Sequence, residues 1–117
     1  MTVTVKVLYT GGQLTNAAAT LFTSPTNTTT VITNATFTNV DSGARLLTVW
    51  VVRSGGSASA SNIIIGASAA GFSLASGQAY VSPELAGVVL AAGDFIQAKA
   101  DANSVITVAE ISGYYIS

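Results

Sequence analysis

The side chains able to do acid–base or ionic chemistry are few: the acids Asp41, Glu84, Asp94, Asp101 and Glu110, and the bases Lys6, Arg45, Arg53 and Lys99. Two carboxylates facing each other across a cleft can cleave a glycosidic bond. Here the acids are spread along the chain, each beside a turn or strand end, with no aromatic groove around them. Asp94 and Asp101 with backbone carbonyls could hold a hard cation, but no spaced acidic loop frames them. A serine nucleophile needs a base within hydrogen-bond reach. The chain has no histidine, and Lys6 and Lys99 sit outside any recognisable motif. The absence of cysteine removes disulfides and thiolate metal sites. Gly55-Gly56 lacks the helix and lysine of a phosphate-binding loop. The four bases are scattered rather than gathered on one face, as nucleic-acid binding requires. The expectation is therefore no enzyme, no metal, no cofactor and no nucleic acid, with the acids capping turns.

The elements that carry these residues must be read from the rest of the chain. Its 117 residues suit one domain. Only 8% of residues are charged and the net charge is −1, against about 25% charged in an ordinary soluble domain. Mean hydropathy is +0.58. Such a surface repels its own copies weakly and predicts association. The longest apolar runs, Ile63-Ile64-Ile65 and Leu85 to Ala92, fall far short of the ~18 residues of a membrane span. No basic segment followed by an apolar one opens the chain, so export by the general secretory route is not expected. Without export, the glycosylation-like triplets at Asn27 and Asn34 read as chance.

The stretch from Thr29 to Arg53 organises the sequence. It predicts two long strands joined at Asp41-Ser42-Gly43. In the first, Val31, Ala35 and Phe37 share a face with Thr33, and Asn34, Thr36 and Thr38 take the other. The second, Leu46-Leu47-Thr48-Val49-Trp50-Val51-Val52, is apolar at nearly every position. A strand with one wet face alternates, so both faces of this one must be covered. One face would lie on the protein's own core. More of the chain or a neighbouring subunit would cover the second. Trp50 reads as a core or intersheet anchor, in phase with Leu46, Thr48 and Val52, and Leu47, Val49 and Val51 read as interface residues.

The N-terminus alternates too, with Val3, Val5, Val7 and Tyr9 on one face and Thr2, Thr4 and Lys6 on the other. The double glycine Gly11-Gly12 breaks this strand from the next segment. Residues 1–12 thus read as an ordinary first strand of the protein's own sheet or as an arm that adds to a neighbour's sheet edge, with Val3, Val5 and Val7 as further interface candidates, and 13–117 as the main domain. Thr20 to Thr23 reads as a short strand, Ser24-Pro25-Thr26-Asn27 as a turn, and Ser54 to Ser61 as an exposed loop of small residues. Asn62 to Gly66, Gln78 to Val81, Asp94 to Ala100 and Val105 to Ile116 read as strands, the last with a bulge at Gly113. Leu74-Ala75-Ser76-Gly77 is echoed by Leu90-Ala91-Ala92-Gly93, which predicts two similar corners. About eight strands with turn signals between them predict an all-β antiparallel β-sandwich or jelly roll.

The string Ala19-Thr20-Leu21-Phe22-Thr23-Ser24-Pro25, followed by Thr29-Thr30-Val31-Ile32 and the ending Phe37-Thr38-Asn39, resembles the opening of small β-sandwich structural proteins of tailed-phage virions. Leu90-Ala91-Ala92-Gly93-Asp94 with Ile96, and the closing strand from Val105 to Ile111, also resemble them. The resemblance covers residues 13–117. It implies a virion structural protein assembled in the host cytoplasm, and most specifically a capsid decoration (cement) protein. Its partners would be copies of itself, commonly in a trimer, and other virion proteins such as the major capsid protein. The alternatives are a small tail, fibre or baseplate-associated module, or a receptor- or glycan-binding sandwich using Tyr80, Tyr114 and Tyr115 as stacking surfaces.

Overall fold

Two long, threonine- and β-branched-rich strands form the frame. In a computed structural model, which describes residues 1–66 and 71–117, they are β4 (Thr29–Asn39) and β11 (Ile106–Ile116). The other strands among the described residues are β1 (Val3–Tyr9), β2 (Gly12–Gln13), β3 (Ala19–Thr23), β5 (Arg45–Val52), β6 (Ile63–Ile65), β7 (Phe72–Leu74), β8 (Ala79–Val81), β9 (Val89–Leu90) and β10 (Phe95–Ala100). One sheet runs β1-β11-β4-β8, with β2 also on β11 and β9 also on β4. The second runs β3-β10-β5-β6, with β7 also on β5. All of these pairings are antiparallel. The protein is an all-β sandwich, as its sequence predicts. This strand order leaves the jelly-roll reading as an expectation.

The core lies between the sheets. Ile32, Ala35, Phe37, Ile106, Val108 and Ile111 enter it from the first sheet, and Leu47, Val49, Ile65, Ile96 and Ala98 from the second. Two bulges decide which residues of β4 and β11 reach it. The register passes from Asn34↔Ser112 to Ile32↔Gly113, so Thr33 is an extra residue on β4. A bulge of one residue reverses the facing of everything beyond it. Thr30 and Ile32 therefore point inward together with Ala35 and Phe37, and Val31 turns outward, not inward as unbroken alternation predicts. Gly113 makes this possible, because a Cβ there would collide with the carbonyl oxygen of Val31. A second shift between Val108 and Glu110 keeps Ile111 in phase with Ile106 and Val108.

The ribbon of β5 is dry on both sides, and one chain covers both. Leu47, Val49 and Val51 pair with Ala100, Ala98 and Ile96 of β10 and face the core. Trp50 and Val52 are also buried, but they stand apart from the intersheet cluster, on the opposite face. Trp50 is thus an outer-face residue rather than an intersheet anchor. Segments flanking the ribbon fold back over that face. A methyl group on Gly56 would touch Val52 Cγ1 at 3.4 Å, and one on Gly71 would press on Thr48 Oγ1 at 3.0 Å.

The repeated Leu-Ala-(Ser/Ala)-Gly motif builds the same corner twice. Leu74 and Leu90 are fully buried. Gln78 N donates to Ala75 O, and Asp94 N donates to Ala91 O, both at 3.0 Å. Gly77 and Gly93 take φ of +72° and +86°, the left-handed conformation that the third position of a type II turn requires. The side chain after each glycine reaches back to the start of its turn. Ala75 N donates to Gln78 Oε1 at 2.8 Å and Ala91 N donates to Asp94 Oδ2 at 2.9 Å. Asn39 ties the first corner to the β4–β5 turn. Its amide donates to Gly43 O, Leu74 O and Ala75 O, and its Oδ1 accepts from Asp41 N.

Candidate functional site

Most of the charged residues serve the frame. Asp94 is nearly buried and accepts hydrogen bonds from Arg53 Nη1 at 2.8 Å, Ser54 N at 2.9 Å and Ala91 N at 2.9 Å. Desolvation pushes its pKa up. The hydrogen bond from Arg53 and the two backbone N–H donors outweigh that, and hold the carboxyl below the usual aspartate value. Arg45 donates to Asp41 at 2.7 Å and lies 3.9 Å from Asp101. That hydrogen bond from Arg45, with help from the Ser42 N–H, lowers the Asp41 pKa. Burial first, and the hydrogen bond it donates to Glu84 second, push the Tyr80 hydroxyl up to about 12. No cluster of acids able to hold a metal ion and no pocket are found among the described residues.

The feature that the frame leaves over is β1. Among the described residues it is an edge strand, paired with β11 on one side only. Residues 3–9 and 12–13 both lie along β11, opposite Ile111 to Ile116 and Thr107 to Val108, so the N-terminal segment is docked on its own sheet rather than held out as an arm. Thr2 and Ser117 exchange backbone hydrogen bonds of 2.8 and 3.0 Å. In an antiparallel ladder, hydrogen-bonded pairs alternate with non-bonded ones. Counting from Thr2, the pairs Thr4↔Tyr115 and Lys6↔Gly113 are the bonded ones. The backbone N–H and C=O groups of Val3, Val5 and Val7 therefore point away from β11, toward the free edge.

The side chains of these three valines stand on the outer face of the first sheet and are exposed by 55%, 85% and 58%. Val5 opens an apolar row across four strands: Val5 pairs with Tyr114, Tyr114 with Val31, and Val31 with Val89. At about 4.8 Å per strand the row is roughly 14 Å long. Beside it run Val3 and Ile116. Farther along, the face turns polar through Ser112, Asn34, Glu110, Thr36 and Thr38. On the opposite face of β1 Thr4 and Lys6 are exposed as well, and one contact crosses to the second sheet. Lys6 Nζ lies 5.7 Å from the centre of the Tyr115 ring, and Tyr115 stacks on Phe22 of β3 with centroids 6.3 Å apart.

The six residues expected at an interface thus divide. Val3, Val5 and Val7 form one exposed strip. Leu47 and Val49 are fully buried in the core and Val51 is half-buried against it, so they are not an interface. The cause is the pairing with β10, which turns them toward the opposite sheet. The sequence reading missed Val31, Tyr114 and Val89 as neighbours of the valines. The only signal for them was the glycine at 113, which marks the bulge. Of the three tyrosines considered as stacking surfaces, Tyr115 is stacked on Phe22, and Tyr80 packs against Phe72 with centroids 4.8 Å apart. Tyr114 remains, in the apolar row.

No protein-family model, curated protein or solved structure matches the chain.

Proposed function

We propose that this protein is a structural component of a tailed-phage virion, most specifically a capsid decoration protein that stabilises the particle through contacts between subunits. The observation that carries the reading is the free edge of β1 with Val3, Val5 and Val7 exposed beside the row Tyr114–Val31–Val89. Exposed apolar patches rimmed by polar residues mark interaction surfaces. Burying a valine side chain contributes roughly 1.5 kcal/mol or more when complete, so these exposed valines would each supply about 1 kcal/mol to a contact. A net charge of −1 offers little repulsion against close-packed copies. The resemblance of residues 13–117 to small virion sandwiches supplies the particle.

The mechanism is mass action. A protein that binds only the assembled shell shifts the equilibrium toward it. Mixing the purified protein with tailed-phage heads assembled without it tests the reading by co-sedimentation and a density map. The expected result is pelleting with the heads and repeated density on their outer surface. Protein that stays in the supernatant, or density confined to the tail, overturns the decoration role.

A further inference from the structure

We infer that β1 is a self-pairing edge, through which two copies join across a two-fold axis at Val5 into one continuous sheet. This rests on the assembly reading above and names one partner within it, a second copy of the chain. The spacing of the free backbone groups selects that partner. Val3, Val5 and Val7 present their N–H and C=O groups outward. Antiparallel pairing centred on Val5 sets Val5 against Val5, and Val3 against Val7, of the two copies. In this register alone all three valines pair with valines, each at a bonded position, so each pair exchanges both of its N–H···O bonds. A two-fold contact uses the same patch on both sides, and a palindromic Val-x-Val-x-Val edge meets that requirement.

The side chains agree with the backbone. In a bonded antiparallel pair both side chains stand on the same face of the sheet. The valines of both copies would therefore merge on the outer face, flanked by Tyr114 and Ile116 of each. On the other face Lys6 meets Thr4 of the second copy rather than its own equivalent, and its charge is already placed over Tyr115. The edge carries no proline and a single charge, Lys6, and its one irregularity, the register shift between Val7 and Tyr9, lies at the end of the valine run. The paired wall is about 24 Å long at roughly 3.4 Å per residue. The thinnest extent of the molecule, 20 Å, limits its depth, so the two copies together lose on the order of 1,000 Å². That is the size of a weak, concentration-dependent contact rather than of an obligate one. The contact closes with two copies and does not generate a ring of three.

Val5→Pro in the full chain isolates the contact. It deletes a donor that points at the free edge and leaves the ladder to β11 intact, which is where proline is tolerated in a sheet. Sedimentation equilibrium is expected to show a wild-type dimer, and a Val5→Pro dissociation constant raised about a hundredfold or more with the circular dichroism spectrum unchanged. The chain has no cysteine, so single cysteines give a second readout that does not depend on the proline variant folding. Val5→Cys should be joined to its own copy by a short bis-maleimide, whereas Val81→Cys, exposed on the far side of the same sheet, should not. A wild type that stays monomeric, a trimer indifferent to Val5→Pro, or cross-linking at Val81 but not Val5 would overturn the pairing. A protein that pellets with phage heads yet never self-associates sinks the pairing and spares the decoration role. One that dimerises but ignores heads does the reverse.

Discussion

β1 and β5 are the two most valine-rich strands of the molecule, and they meet opposite fates. β5 sits inside its sheet between β10 and the short strands β6 and β7, and loops close over its outer face. Val49 is fully buried there, whereas Val5, the same residue type in a strand of similar length, is 85% exposed. Apolar content states that a strand will be covered. Its place in the sheet order states by whom. An interior strand finds cover within its own chain. An edge strand has one side of its backbone and part of its side chains left over, and can recruit a second chain.

Charged substitutions test this contrast most directly. Leu47→Lys puts an unpaired charge into the core and should cost more than about 4 kcal/mol, enough to leave a marginal domain unfolded in urea titration. A folded Leu47→Lys would mean that β5 does not depend on internal cover. The next largest effect is expected at Gly113→Ala, where the new methyl meets the Val31 carbonyl and the β4 bulge must open. A loss of about 2–3 kcal/mol by chemical denaturation would confirm that this bulge sets which valines face out, and no loss would show that β4 can shift at no cost.

Asp94→Asn reports on the corner where β5 hands over to its covering loop. Removing the charge weakens the bonds from Arg53 and Ser54 and should cost about 1–3 kcal/mol at neutral pH. The folded carboxyl titrates below its unfolded value of 3.8, so its contribution is complete above that pH and fades as pH falls through the lower folded value. Wild-type stability should therefore decline on acidification, with a flatter acid limb in Asp94→Asn; identical limbs would show that Asp94 does not govern the acid response. The smallest effect on folding is expected for Val5→Lys, within about 0.5 kcal/mol of wild type, while self-association is lost. A melting temperature that falls as far as that of Leu47→Lys would erase the distinction between the two strands.

Much of this fold was legible in residue patterns. Phe95, Gln97 and Lys99 alternate with Ile96, Ala98 and Ala100, and the second set is the buried one. The echo of Leu74-Ala75-Ser76-Gly77 at Leu90 marks two corners with matching bonds. The facing of Val31 was not legible from β4 alone, because alternation carries no count of inserted residues and the one sign of the Thr33 bulge, Gly113, lies on the partner strand. Nor was the facing of β5, since a strand apolar on both sides gives no phase. The valine strip was visible by type at Val3, Val5 and Val7. Its continuation through Tyr114, Val31 and Val89 depends on long-range register, which no local pattern encodes.

The exchange of hydrogen bonds between Thr2 and Ser117 has a practical consequence for anyone who wishes to put this protein to use. Cargo fused at either residue leaves the molecule at the same corner, alongside the valine strip, where its bulk would crowd a second copy. A circular permutant joining the two through a short linker, and reopened in the glycine- and serine-rich stretch at 54–61, would carry the cargo elsewhere and leave that corner clear.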